Sequence, residues 1–252
     1  INPGITQGGM ASLFLAGSDA KYGIPFEKAG EAYVRARNAG AKHFGIHMMT
    51  GSNILDENYF YIITKKILEI IRIIKKETGI IIEFMNIGGG FGVPYRPDEG
   101  SLNIQKVADG ARNAYKEMCA DGYIKPPRLM AEPGRYISAD AGWLVGRVAV
   151  IKNSYKKFVG IDASSNDLPR PAIYGAYHHA SVINDSYEKE IMTIVGSICE
   201  NNDQLARDRS LPICAVGDIV VIHNAGGHSF AMGHNYNGKL RHAEYLWTAD
   251  DS

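Results

Sequence analysis

The sequence predicts an α/β region followed by a mainly antiparallel β region. Three observations predict it. Strand and helix signals alternate through the first half of the chain. The glycine-rich and polar turns of that half follow strands. Beyond about residue 137 the long helical stripes give way to short β-rich runs with Gly, Asp and Asn at their corners.

Taken in order, Ile1 reads as the tail of a strand. Residues 26–38 read as a helix stopped by Gly40. Residues 43–47 read as a short strand. Residues 54–76 read as a long helix: Ile63, Ile67, Ile70, Ile71 and Ile74 recur at helical spacing, with Lys65, Lys66 and Lys75 outside. Gly79 ends it. Residues 80–86 read as a buried strand, 104–120 as a third helix, and 128–131 as a further strand entered through Pro126-Pro127. Four strand positions separated by three helices imply a parallel sheet. Such sheets carry their sites at the C-terminal ends of the strands, where Gly51-Ser52, Gly88-Gly89-Gly90 and Glu132-Pro133-Gly134-Arg135 fall. In the second half, residues 143–151, 157–161, 190–195 and 218–223 read as strands. The expected division is therefore 1–137 and 138–252, without a flexible linker.

The 252 residues can bury a real core in one large domain or two smaller ones. Lys plus Arg and Asp plus Glu balance at 27 each, so no strong field draws the chain to nucleic acid or an anionic membrane. A small charged substrate stays open. Cys119, Cys199 and Cys214 are too sparse for a disulfide framework or a zinc site, and a reducing cytoplasm is the expected location. No apolar run approaches the roughly 18 residues of a membrane span. His178, His179, His223, His228 and His234 lack helical metal-ligand spacing, so no metal is expected. The chain opens at Ile1 with neither Met nor a signal peptide, as if cut inside a strand.

Three motifs carry chemistry. Gly88-Gly89-Gly90-Phe91-Gly92 permits positive φ and lets backbone N–H groups approach a phosphate; a plain turn is the alternative. It does not match GxGxxG. Glu132 suits a partner with a protonated ring nitrogen, and Arg135 suits a carboxylate or phosphate; a surface ion pair is the alternative. Cys199 is either a small buried hydrophobe or an exposed thiol, and its neighbours Glu200, Asn201, Asn202 and Asp203 favour exposure.

These motifs, in this order, resemble the fold-type III decarboxylases that use pyridoxal 5′-phosphate (PLP), and within them the diaminopimelate decarboxylases. Ile1-Asn2-Pro3-Gly4 is similar to the family's "RINPG" and Asp19-Ala20-Lys21-Tyr22-Gly23 to its "SKFG". Gly45-Ile46-His47 through Gly51-Ser52 resembles "GLHxHIGS". Residues 86–95, NIGGGFGVPY, resemble the phosphate loop. AEPGR at 131–135 follows, then Arg170-Pro171-Ala172-Ile173-Tyr174 for "RPALY", residues 199–203 for "CESxD", and Asn235-Tyr236-Asn237 for the terminal "YN".

The resemblance implies the C-terminal half of a (β/α)8 alanine-racemase-like barrel followed by a β domain. It implies that Ser52, Gly88, Gly89, Gly90 and Gly134 hold the PLP phosphate region and that Glu132 pairs with the pyridine nitrogen. Arg135, Arg170 and Tyr174 would bind the distal carboxylate of a diamino acid, Glu200 its distal ammonium, and Cys199 would be the general acid. The Cys-Glu loop is lent across a homodimer in this family, so shared active sites are implied. The implied reaction is decarboxylation of meso-diaminopimelate to L-lysine. A decarboxylase of another basic amino acid or polyamine precursor, and a non-catalytic regulatory paralogue, are the other readings. Three departures stand out. Met49 replaces a histidine that stacks on the cofactor ring, and His228 replaces the tyrosine of "GAY". The "YAxKAN" lysine that carries the cofactor is missing, so the expectation is a barrel without its N-terminal half and no activity from this chain alone.

Overall fold

A computed structural model describes residues 1–4 and 15–248. Its contacts group Ile1–Pro94 with Asp98–Ile137 and, separately, Tyr95–Pro97 with Ser138–Ser252.

The first unit alternates helix and strand: α1 (Ala29–Asn38), β1 (Gly45–His47), α2 (Glu57–Thr78), β2 (Phe84–Asn86), α3 (Ile104–Cys119), β3 (Arg128–Met130) and the start of α4 (Gly134–Ser138). The three strands run parallel in register, so His47, Asn86 and Met130 form the last row. α2 begins at Glu57 because the Asp56 side chain caps it, accepting from the Asn58 N–H at 3.0 Å. It ends where Gly79 turns left-handed, φ 67°, and returns its N–H to the Lys75 carbonyl. The apolar stripe Phe60, Ile63, Ile67, Ile70, Ile71 and Ile74 is buried, together with Ile46 and Met85 of the sheet. Each such side chain contributes about 1.5–3 kcal/mol by leaving water. On the outer side, Arg72 grips Asp121 with two hydrogen bonds of 2.9 and 2.6 Å, tying α2 to the segment after α3.

Two sequence expectations are corrected here. Ile1 is not in a strand: Asn2 makes one parallel bridge with Pro25, and Pro3 has no N–H to extend a ladder. Ile54 is not helical but bridges Phe91, because its N–H is taken by the Gly90 carbonyl at 2.7 Å.

The second unit is a six-stranded sheet of β4 (Leu144–Asn153), β5 (Lys157–Ile161), β6 (Ala180–Ile183), β7 (Lys189–Val195), β8 (Gln204–Pro212) and β9 (Ile219–Ile222), in the order β6-β9-β4-β5-β7-β8. Every pairing is antiparallel except β5 with β7. The end strands β6 and β8 also approach one another, so the sheet curls nearly closed. Val148, Val159, Ile161, Met192, Ile194, Leu205, Val220 and Ile222 fill its interior. The crossover required between the parallel strands carries a one-turn helix, α5 (Arg170–Tyr174). Sequence patterning missed α5, β6 and β8. In β8 the run Arg207-Asp208-Arg209 interrupts the apolar alternation, and Asp208 adopts φ 49° where the β7–β8 register shifts.

Candidate active site

In the first unit, three turns gather beyond the C-terminal ends of β1, β2 and β3. The chain leaving β1 runs through Met48, Met49, Thr50, Gly51 and Ser52. The chain leaving β2 is the glycine turn, and the chain leaving β3 brings Glu132 and Arg135. Parallel strands in register deliver all three to the same end.

The contacts among them are direct. The Glu132 N–H donates to the Gly88 carbonyl at 2.9 Å. Its carboxylate accepts from Asn86 Nδ2 at 2.8 Å and lies 3.6 Å from His47 Nε2. Asn86 Oδ1 accepts the Gly88 N–H at 2.8 Å. The Gly89 N–H points at the Met49 sulfur, 3.2 Å away. Arg135, only 7% exposed, donates through Nη2 to Ser52 Oγ at 3.2 Å. Ser52, Met49, Gly88, Gly89, Gly90, Glu132 and Arg135 are therefore brought together, and Gly134 opens α4 beside them. His47 and Asn86 were missed as members of this group. Their signal is local: both end strands whose following turns carry the motifs.

Glycine is obligatory in the turn. A Cβ on Gly88, at φ +73°, would lie 2.4 Å from the Met48 carbonyl oxygen, and one on Gly90, at φ +91°, 2.9 Å from that of Gly51. The wall is consequently backbone.

The second unit holds the remaining predicted residues on three segments. Arg170 and Tyr174 lie one turn apart on α5. Arg170 is 2% exposed; its Nη1 meets His178 Nε2 at 2.6 Å and its guanidinium lies 4.5 Å from the Tyr95 ring centre. The His178 Nδ1 lies 2.9 Å from the His223 carbonyl. Since a carbonyl only accepts, Nδ1 carries the proton and Nε2 accepts from Arg170. Cys199 and Glu200 are exposed on the turn between β7 and β8. Glu200 accepts the Asn202 N–H at 3.0 Å through Oε1. His228 is exposed with a left-handed backbone, φ 59°. Burial pushes the thiol of Cys214 up to about 11 and lowers His179 and His223 below the ordinary histidine value.

Other features lie apart from this chemistry. A hollow of about 610 Å³ between α2 and α3 is lined by Glu57, Tyr61, Lys106 and Asn113, and shares no residue with the three turns. Among the described residues no group of three or more His, Cys, Asp or Glu is arranged to hold a metal ion, and no helix is long and apolar enough to cross a membrane.

A parallel barrel-type segment joined in sequence to a curled β sheet is the alanine-racemase-like architecture of the fold-type III enzymes. The chain belongs to the pyridoxal-dependent decarboxylase family: residues 32–226 match the family model described as its C-terminal sheet domain. It is 39% identical over 248 residues to a diaminopimelate decarboxylase of Methanothermobacter thermautotrophicus, covering 98% of this chain and 58% of the relative. It is 40% identical over 232 residues to Protein TabA of Pseudomonas amygdali pv. tabaci, covering 92% of this chain and 54% of the relative. The crystal structure of a diaminopimelate decarboxylase from M. jannaschii in complex with L-lysine superposes with a TM-score of 0.79 at 35% identity, over 88% of this chain and 51% of that one. The chain thus spans rather more than half the length of these two curated relatives.

The cofactor of this family is PLP, and the residues present fit it. The glycine turn carries no side chains of its own, and the Gly89 N–H faces a thioether, a weak acceptor that an anionic oxygen would displace. Ser52 and Arg135 add a hydroxyl and a cation beside an anionic carboxylate at Glu132.

Proposed function

We propose that this chain supplies the phosphate cradle, the ring-nitrogen partner and the proton donor of a PLP-dependent decarboxylase that converts meso-diaminopimelate to L-lysine. One observation carries the reading most: Glu132, the glycine turn and the Ser52–Arg135 pair meet at one end of a parallel sheet. Family membership and the relatives' names support the substrate.

When bound, PLP would supply an electron sink. The chain's own residues do the rest. Gly88, Gly89 and Gly90, with Ser52 and Gly134, would hold the phosphate region, the Gly88 N–H staying on Asn86 Oδ1 to fix the turn. Glu132 would pair with the ring nitrogen, and Asn86 and His47 aim that carboxylate. Met49 and His228 would line the cofactor in place of a stacking imidazole and a phenol. Arg135, Arg170 and Tyr174 bind the distal carboxylate, and Glu200 binds the distal ammonium. Cys199 gives its thiol proton to the α-carbon and is reprotonated from solvent. The enzyme works as a cytoplasmic homodimer, the Cys199–Glu200 turn of one subunit serving the other.

The test uses the full gene product with PLP. Release of CO2 and lysine from meso-diaminopimelate, well above release from ornithine, arginine and lysine, supports the reading. Preference for one of those substrates replaces it with another basic amino-acid decarboxylase. No turnover on any, with tight binding to an active decarboxylase, replaces it with a regulatory paralogue.

A further inference from the structure

Cys199 lies on an exposed turn, yet that turn is held at several points. Its N–H donates to Asn237 Oδ1 at 2.8 Å. Asn237 lies in the tail beyond β9, with a left-handed backbone of φ 58°, a conformation asparagine tolerates better than most residues. The neighbouring Lys239 donates from Nζ to the Asp162 carbonyl at 2.8 Å and also to Ser197 Oγ, just ahead of the cysteine. From inside, the Asp203 carboxylate, 2% exposed, accepts the Ser165 N–H at 2.6 Å and the Ile198 N–H at 3.1 Å. The Asp203 N–H returns to the Glu200 carbonyl at 3.0 Å. Asn166, also buried, ties the tail down by donating from Nδ2 to the Tyr236 carbonyl at 3.0 Å.

From this arrangement we infer that Asn237 is a positioning residue for Cys199: its side-chain carbonyl fixes the cysteine backbone and hence the direction of the thiol. Asp203 braces the same turn from within. The inference rests on the reading of Cys199 as proton donor. A turn that must present one sulfur to one carbon gains nothing from flexibility, since misplacement by about an ångström can cost a hundredfold in rate. Glu200 follows directly in the chain, so the same clasp sets the ammonium-facing carboxylate.

Backbone and side-chain roles of Asn237 can be separated. Asn237→Gly keeps access to positive φ and removes the acceptor. Asn237→Asp keeps an acceptor oxygen. In the full gene product, Asn237→Gly is expected to lower kcat roughly tenfold with KM changed less than about twofold. It is also expected to change the rate of Cys199 alkylation by iodoacetamide by about threefold or more. Asn237→Asp should restore most of both. Wild-type rates of turnover and alkylation in Asn237→Gly overturn the inference, as does an Asn237→Asp variant no better than Asn237→Gly on both measures. If the Gly variant does not fold, hydrogen exchange in the unaltered protein decides: the Cys199 amide should be protected despite its exposure, and exchange at the free-peptide rate overturns the clasp. Cys199→Ala serves as the control. If it retains full turnover, the proton-donor reading fails while the alkylation and exchange arms still judge the positioning. If it loses turnover but Asn237→Gly behaves as wild type, only the positioning fails.

Discussion

Asn86 joins two parts of the candidate site through one side chain: its Nδ2 donates to Glu132 Oε1 at 2.8 Å while its Oδ1 accepts the Gly88 N–H at 2.8 Å. The residue at the end of the middle strand therefore couples the ring-nitrogen carboxylate to the first amide of the phosphate turn.

Replacing Asn86 by Leu removes both bonds at nearly constant volume. Glu132 is half-exposed, so the expected loss is about 1–2 kcal/mol, the range of one or two ordinary hydrogen bonds. PLP affinity should fall roughly tenfold in a fluorescence titration, in line with that energy. Asn86→Asp should be worse, because it sets a second negative charge against Glu132. Unchanged affinity in both variants counts against the role given to Glu132.

Two glycines with similar backbones separate strain from collision. Gly88 and Gly122 adopt φ +73° and +67°, but a Cβ on Gly122 meets nothing within 4 Å, whereas one on Gly88 meets the Met48 carbonyl oxygen at 2.4 Å. Gly122→Ala should cost about 1–2 kcal/mol, the price of left-handed backbone for an L residue. Gly88→Ala should cost about 2–5 kcal/mol once overpacking is added. Denaturant midpoints of the two variants measure the difference, and equal losses would show that the turn yields freely.

The three thiols should separate by access at pH 8. Cys199 is exposed, Cys119 half-buried and Cys214 buried. Burial raises Cys119 and takes Cys214 up to about 11, so both are protonated as well as shielded. Alkylation followed by peptide mapping should label Cys199 first and Cys214 last, since the thiolate is the nucleophile. Early labelling of Cys214 would mean that the β sheet opens readily.

Acid should weaken the α2 clamp. Hydrogen bonds from Arg72, then from the Tyr123 N–H, hold the Asp121 carboxyl well below the ordinary carboxylate range. A depressed folded-state value means that the contribution is fully present above the unfolded value near 3.9 and is lost as pH falls through the folded one. The melting temperature should therefore drop below about pH 4, and Asp121→Asn should flatten part of that drop. Asp121 is exposed and Arg72 partly so, and high salt should therefore shrink the difference between the two proteins. Identical acid profiles would assign the drop to other carboxylates.

Much of the first unit was legible because its signals are local. The isoleucine stripe, Asp56 and Gly79 define α2, and the turns after β1, β2 and β3 announce the site. The three-residue excess at the predicted start of α2 arose because Ile54 answers to Phe91, a partner far along the chain. The second unit was less legible. β8 hides behind Arg207-Asp208-Arg209, whose charges suit an end strand but break the alternation that marks one. The burial of Arg170 could not be foreseen, because the groups that make a buried guanidinium tolerable, His178 and Tyr95, declare themselves only when folded. The clasp on Cys199 depends on Asn237 and was equally hidden.

Among the described residues, the strand latest in sequence in the second unit is a middle strand: β9 lies between β6 and β4. While the chain is still emerging from the ribosome, β4 and β6 each keep an open edge, and open edges invite pairing with the wrong chain. Closure must wait for residues 219–222, and pairing between distant segments is slow. Premature termination before Ile219 would therefore not trim the sheet at its margin. It would remove the strand that joins β6 to the rest and leave β4 with one neighbour.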